Sequence, residues 1–341
     1  RDGLGLARDQ LDWLAERSAW IVHCAASVSF TLGLEESREI NVAGTRRMLD
    51  LAEAARERGA LDCFTHVSTA YVAGTHRGTF HEDDLDLGQE HRNPYERTKL
   101  EAEVMLRERR DELPVQVLRP SIVVGDSRTG WTPAFNVLYW PLRAFARGSY
   151  PFLPASRHSP VDVVPVDYVA DAVLALGGRP GTTYHLTAAD RATSLGDLVE
   201  LACDHLGRRP PPLLPPSLYR NLLHPVLVRT GSERRRRALR GSEVFFPYFA
   251  MSTRYDDAAA RAALRPAGIE APALSSYFAR LIDYALRAEW GRRQLPRHRL
   301  LALAHPPRAH VTRRGPAWRP ERGSAPGRRA GARRARSARR G

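Results

Sequence analysis

Short apolar runs alternate with stretches of helical spacing through the first 120 residues, and that alternation leaves few folds open. Residues 19–24, AWIVHC, predict a buried strand. Residues 35–58 place Ile40, Gly44, Met48, Leu51 and Ala55 three or four apart and predict a helix. A second strand is predicted over 63–68, a second helix over 94–112 and a third strand over 115–118. Strands without a polar face, separated by helices, build a parallel sheet covered on both sides, so the fold class is α/β. Beyond residue 126 the periodicity loosens around Trp131, Trp140, Tyr150 and Phe152. A short strand is expected over 161–166, helices over 167–176, 194–207 and 255–290, and loop or extended chain through the proline-rich 208–216.

Charge separates the end of the chain from the rest. The 341 residues carry a formal +14. Residues 292–341 hold sixteen Arg and one acid, Glu321, a net of +15, which leaves 1–291 at −1. The Arg/Gly/Ala/Pro composition of 292–341 cannot build a core and predicts a disordered tail. A salt-sensitive nucleic-acid contact is one reading of such a tail; a merely solvated extension is the favoured one. No apolar run approaches the roughly 18–20 residues of a membrane span, and nothing in the sequence supports contact with a membrane surface. Cys24, Cys63 and Cys203 are dispersed and odd in number, which fits a reducing, cytoplasmic compartment and argues against structural zinc. The twelve His form no H-E-x-x-H, and no metal is expected.

Of the 52 basic residues only Lys99 is a lysine. It closes Asn93-Pro94-Tyr95-Glu96-Arg97-Thr98-Lys99, where Asn93 suits an N-cap, Pro94 the first helical position and Glu96 a capping box. Tyr95 and Lys99 then share a face, and an ammonium beside a phenol lowers its pKa from about 10. Such a tyrosine serves as an acid or base near neutral pH. By itself the spacing fits an ordinary exposed pair; a chain that uses Arg everywhere else and Lys here favours the chemical reading. Ser68 and Thr69 close the second predicted strand, and ligands of open parallel sheets sit beyond strand ends. Leu118-Arg119-Pro120-Ser121-Ile122-Val123-Val124-Gly125 leaves the third strand, and His23-Cys24-Ala25-Ala26 the first, with small residues that permit close approach.

These segments, with Asn41-Val42-Ala43-Gly44-Thr45, Ala70-Tyr71-Val72 and Val-Pro-Val-Asp-Tyr-Val-Ala-Asp-Ala-Val over 164–173, follow one another in a way that resembles the extended short-chain dehydrogenase/reductases. Within that superfamily the chain is similar to the male-sterility type, the fatty acyl-CoA and carrier-protein thioester reductases. The resemblance covers roughly residues 1–290. It implies a Rossmann-like sheet and a smaller C-terminal substrate region, mainly 126–160 and 194–291 of a domain over 1–291. It implies Tyr95 as the acid that protonates a carbonyl oxygen, and Lys99 as the holder of the nicotinamide ribose. Thr69, or less favourably Ser68, would bond the same oxygen, and Asn41 would order a water leading to Lys99. Ala25, Ala26 and Val28 would line the cofactor, and Pro120 and Ile122 would border the nicotinamide.

One departure stands out. Family members begin with a Gly-rich strand–turn–helix that binds pyrophosphate, and no G-x-x-G-x-x-G occurs in this sequence. The expectation is a sequence that starts after the third strand and lacks the first βαβ portion, with activity of this fragment in question. NADPH is the implied cofactor, with NAD(H) left open. Ala70-Tyr71 stands where the dehydratases of this fold carry an Asp-Glu pair, which favours reduction of an acyl-CoA or carrier-protein thioester to aldehyde or alcohol. Leu218, Leu222, Leu223, Val226 and Leu227 offer an apolar channel, and Arg143, Arg147, Arg220 and Arg229 cations for a phosphopantetheine arm. The alternatives are a sugar-nucleotide or steroid-type dehydrogenase or epimerase, and a non-catalytic truncated homologue.

Overall fold

The structure, a computed structural model, describes residues 2–135, 137–148, 152–215, 251–293 and 295–297, and the single positions 218, 219, 221, 229, 233 and 248. All lie in one compact unit, Arg1–Ala304. Its centre is a four-stranded parallel sheet of β1 (Trp20–His23), β2 (Cys63–Val67), β4 (Val115–Pro120) and β9 (Thr183–Leu186), in that spatial order. Trp20 stands opposite Cys63, Phe64 opposite Val115, and Val117 opposite Thr183. Helices α1 (Arg8–Arg17), α2 (Leu34–Glu57) and α3 (Pro94–Glu108) supply Ala15, Leu49 and Leu106 to one face, where they meet Phe64 and Val117. Because side chains alternate along a strand, Leu118 faces the opposite way. It packs there with α5 (Val166–Leu176) and α7 (Ala258–Leu264).

A second apolar cluster stands apart from the sheet. Helices α4 (Tyr139–Ala146), α6 (Leu195–Leu206) and α8 (Phe278–Arg287) gather Leu142, Phe145, Leu198, Phe278 and Ile282 beside two short parallel pairs. These are β5 (Ile122–Val124) with β8 (Val163–Pro165), and β6 (Leu153–Pro154) with β11 (Leu213–Leu214). Strands β7 (Pro160–Val161) and β10 (Thr193–Ser194) pair antiparallel nearby. The expected substrate segments supply most of this cluster, although α7 packs on the sheet instead.

Two buried polar networks tie the layers. At the start of the strands the Trp20 indole donates to Thr65 Oγ1 at 2.8 Å, that hydroxyl to Gln116 Oε1 at 3.0 Å, and the Gln116 amide to the Leu176 carbonyl at 2.9 Å. Toward the far end Arg119 on β4 is fully buried. It donates to Glu103 at 2.7 Å and 3.0 Å, to the Glu82 carbonyl at 3.2 Å and to His185 Nε2 at 3.2 Å. The Glu82 carboxylate receives the Ala259 and Ala260 amides at 2.7 and 3.0 Å, so it closes the start of α7. Beside it β3 (Gly78–Phe80) pairs parallel with β12 (Thr253–Tyr255), which joins early and late chain.

Four expectations change. The predicted helix over 255–290 is α7 and α8, separated by a turn at Gly268, whose φ of +66° ends the helical path. A helix, α4, occupies part of the region without periodicity. The capping box at α3 is half formed: Asn93 Oδ1 accepts the Glu96 amide at 3.0 Å, but the Glu96 carboxylate accepts the Arg92 amide and the Tyr248 hydroxyl. Residues 295 and 297, inside the expected tail, pack on the body: the Trp131 indole donates to the Leu295 carbonyl, and the Arg297 guanidinium lies over the Trp131 ring. The remainder of the tail, from 298, lies outside the described residues. No helix among the described residues is long and apolar enough to cross a membrane.

Candidate active site

Three neighbouring strands of the sheet end within one small area. Past His23 at the end of β1 come Ala25, Ala26 and Val28; past Val67 at the end of β2, Ser68 and Thr69; at the end of β4, Pro120 and then Ile122. Parallel strands with open C-terminal ends put backbone and short side chains around one crevice. Into this area α3 delivers Tyr95 and Lys99 from its first two turns, set by the Asn93 cap and Pro94.

Tyr95 and Thr69 meet. Thr69 acts on the phenol against the effect of burial, and its hydroxyl receives the Tyr71 amide at 3.2 Å and donates to the Pro120 carbonyl at 3.4 Å. Ser68 is buried, and its hydroxyl has no protein partner. Thr69 is thus the hydroxyl that acts on the tyrosine, and the buried Ser68 hydroxyl is left without a protein partner.

The Tyr95 phenol moves up rather than down, and the cause is burial, not Lys99. Burial pushes the Tyr95 phenol up to about 12, against a smaller opposing effect of Thr69. Lys99 is buried and directs its ammonium to His66 Nε2 at 3.1 Å and the Val67 carbonyl at 2.9 Å. Burial brings its own pKa down to about 8. The phenol therefore carries its proton throughout the neutral range.

Asn41, buried on α2, is occupied elsewhere as well. Its Oδ1 accepts the Ser27 amide at 2.8 Å, and its Nδ2 donates to the Ser27 carbonyl at 3.1 Å and to Thr98 Oγ1 at 3.0 Å. These bonds lock the loop after β1 to α2 and α3. They do not reach Lys99.

An apolar pocket begins where this crevice ends. Ile122 and Tyr71 lie on its wall with Leu142, Phe145, Leu198 and Val199 from the second cluster, and Tyr248 and Met251 beside them. Tyr248 also stacks on Phe30 at 5.5 Å between ring centres, and Phe30 lies 5.8 Å from Tyr95, so an aromatic wall runs from the tyrosine to the pocket. Arg143 and Arg147 sit on and just after α4, Arg147 exposed. Arg229 and Leu218 are exposed, whereas Arg220, Leu222, Leu223, Val226 and Leu227 lie outside the described residues.

Sequence reading missed His66, Phe30, Tyr248 and Met251. His66 could have been suspected from its place in the His66-Val67-Ser68-Thr69 run. Tyr248 could not, since 152 residues separate it from Glu96, which accepts its hydroxyl proton.

A sequence model of the family described as Male sterility protein matches residues 1–173. Among curated proteins, fatty acyl-CoA reductase 1 of Xenopus laevis is 28% identical over 207 residues, covering 52% of this chain and 39% of the relative. An aldehyde reductase of Aspergillus flavus is 31% identical over 214 residues, covering 58% of this chain and 20% of the relative. The chain thus spans well under half the length of these curated relatives. Among solved structures, the terminal R domain from the myxalamid PKS-NRPS biosynthetic pathway superposes with a TM-score of 0.70 at 24% identity, over 86% of this chain and 75% of that one.

Proposed function

We propose, from the premise that this chain belongs to the male sterility protein family of the extended short-chain dehydrogenase/reductases, that it forms the chemical centre of an NADPH-dependent reductase of long-chain acyl thioesters. One observation carries the reading: an apolar pocket walled by Ile122, Tyr71 and Tyr248 is joined to Tyr95 by the rings of Phe30 and Tyr248. A phenol and a hydroxyl at the mouth of a greasy channel suit a carbonyl carried on a long alkyl chain.

The residues present fit the nicotinamide–ribose end of the cofactor. The unpartnered Ser68 hydroxyl, the small Ala25 and Ala26 past β1, and Pro120 and Ile122 past β4 border one crevice. When bound, NADPH supplies the hydride. Lys99 is the residue to hold the ribose, and Val28 with the two alanines the neighbouring wall. Tyr95 donates its proton to the substrate carbonyl oxygen, and Thr69 turns its one hydroxyl hydrogen from the Pro120 carbonyl to donate a second hydrogen bond to that atom. A phenol at about 12 is in the donor state at neutral pH. The pocket, nearly devoid of polar groups, excludes water from the aldehyde product. Acyl-CoA and carrier-protein thioesters share the phosphopantetheine arm, and Arg143, Arg147 and Arg229 are described cations available to it.

The test is NADPH oxidation by the intact protein with palmitoyl-CoA, acetyl-CoA and a UDP-sugar in parallel. Turnover of palmitoyl-CoA at least tenfold above acetyl-CoA is expected. Turnover of the UDP-sugar alone would replace this reading with a sugar-nucleotide dehydrogenase.

A further inference from the structure

We propose that His66 is the positioning residue of Lys99: its Nε2 accepts a hydrogen bond from the ammonium and, together with the Val67 carbonyl, fixes the direction of that cation. The inference rests on the reading that Lys99 serves the reductase site, but its first test does not depend on it.

The geometry leaves His66 one role. Nζ lies 3.1 Å from His66 Nε2 and 2.9 Å from the Val67 carbonyl. An ammonium has donors only, so Nε2 must be the unprotonated nitrogen and Nδ1 must carry the hydrogen. His66 is 1% exposed, and Nδ1 has no protein partner. Burial, the charge of Lys99 and the neighbouring His23 hold the ring's pKa well below the ordinary histidine value, so the ring stays neutral and stays an acceptor. His23 on β1 contacts the ring at 5.3 Å between centres and is itself held down to about 4. The other groups acting on the ammonium are Glu103 on α3 and Cys24 at the end of β1.

Two of the three ammonium hydrogens are thereby committed on the β2 side, leaving the third for the crevice. The arrangement also accounts for lysine in a chain that otherwise uses arginine: two acceptors at single-atom spacing suit a point charge, not a planar fork. Asn41, expected to order a water leading to Lys99, bonds Ser27 and Thr98 directly. His66 contacts Lys99 directly.

Lys99 is the chain's only lysine, so protein labelled with 13C-lysine gives one side-chain signal whose titration reports this site alone. Wild type is expected to titrate near pH 8. His66→Leu removes the acceptor and should lower that midpoint by half a pH unit or more. His66→Gln, whose amide oxygen reaches the place of Nε2, should restore it. His66→Asn, too short to reach, should follow Leu and covers the case in which Leu fails to fold. Thermal melts report folding of each variant. In the intact protein, kcat for thioester reduction should fall tenfold or more in Leu and Asn and return to within threefold in Gln. Coincident Lys99 titrations in folded Gln and Asn variants would overturn the proposal. A shifted titration without thioester turnover in any form would keep His66 in its role and overturn the reductase reading instead.

Discussion

In the proposed reaction Tyr95 is an acid that does not ionise on its own. With its phenol held up at about 12 by burial, Tyr95→Phe should lower kcat by about 100-fold or more, the usual range for a lost general acid. NADPH affinity should change less than threefold, measured by fluorescence titration. Lys99→Arg should be nearly as damaging although the charge is kept, because a buried guanidinium cannot replace one nitrogen placed between Val67 and His66; turnover within threefold of wild type would contradict the geometry. Arg119 and Glu103 make a different kind of point. Both are buried and bonded to each other. Glu103→Leu alone leaves a buried cation and should destabilise by about 3–5 kcal/mol, whereas Glu103→Leu with Arg119→Met should recover much of the loss. Urea unfolding of the single and double variants checks this.

At the scale of elements, the early strands and helices were legible because each carries its own pattern. Residues 63–67 and 115–120 are buried along their length, as an apolar run without alternation predicts, and α3 starts at the cap that Asn93 announces. Asn93→Ala should cost about 1 kcal/mol by the loss of that cap. It should cost somewhat more here, since the same amide donates to Tyr248 at 2.6 Å. What was not legible is short. Strands of two or three residues, such as β3, β5 and β11, are too brief for any period to register. They exist because tertiary neighbours supply their partners. β9 escaped notice for the same reason, four residues between two turns. Gly130 was equally silent. Its φ is +73°, and a Cβ there would collide with the Arg280 carbonyl and with Tyr284. Gly130→Ala should therefore loosen α8 from the body and lower the melting temperature more than Asn93→Ala does.

At the scale of the whole molecule, acid sensitivity follows from histidines buried neutral. His185 is held down to about 3 and His23 to about 4, chiefly by burial, and His66 is held well below its ordinary value. The unfolded chain binds protons at these sites from pH 6.5 downward while the folded one does not, so stability present above 6.5 is lost as pH falls toward 4. Each such site contributes a slope of up to about 1.4 kcal/mol per pH unit. Asp162, pushed up to about 6 by burial, works the opposite way between its ordinary value and 6, and Glu82 and Asp257, also raised by burial, oppose the histidines in the same sense. The melting temperature should thus drop steeply between pH 6.5 and 4; a flat profile over that range would contradict the buried neutral rings. The pairing of β3 with β12 has a further meaning for a chain made from one end to the other. Residues 63–120 leave the ribosome with a complete set of local patterns, but the Glu82 carboxylate waits for Ala259 and Ala260, and the aromatic wall waits for Tyr248. During synthesis Tyr95 and Lys99 exist before the last part of the wall beside them, and a nascent chain stalled before residue 248 lacks the Tyr248 ring that stacks on Phe30 and, with Met251, completes the pocket.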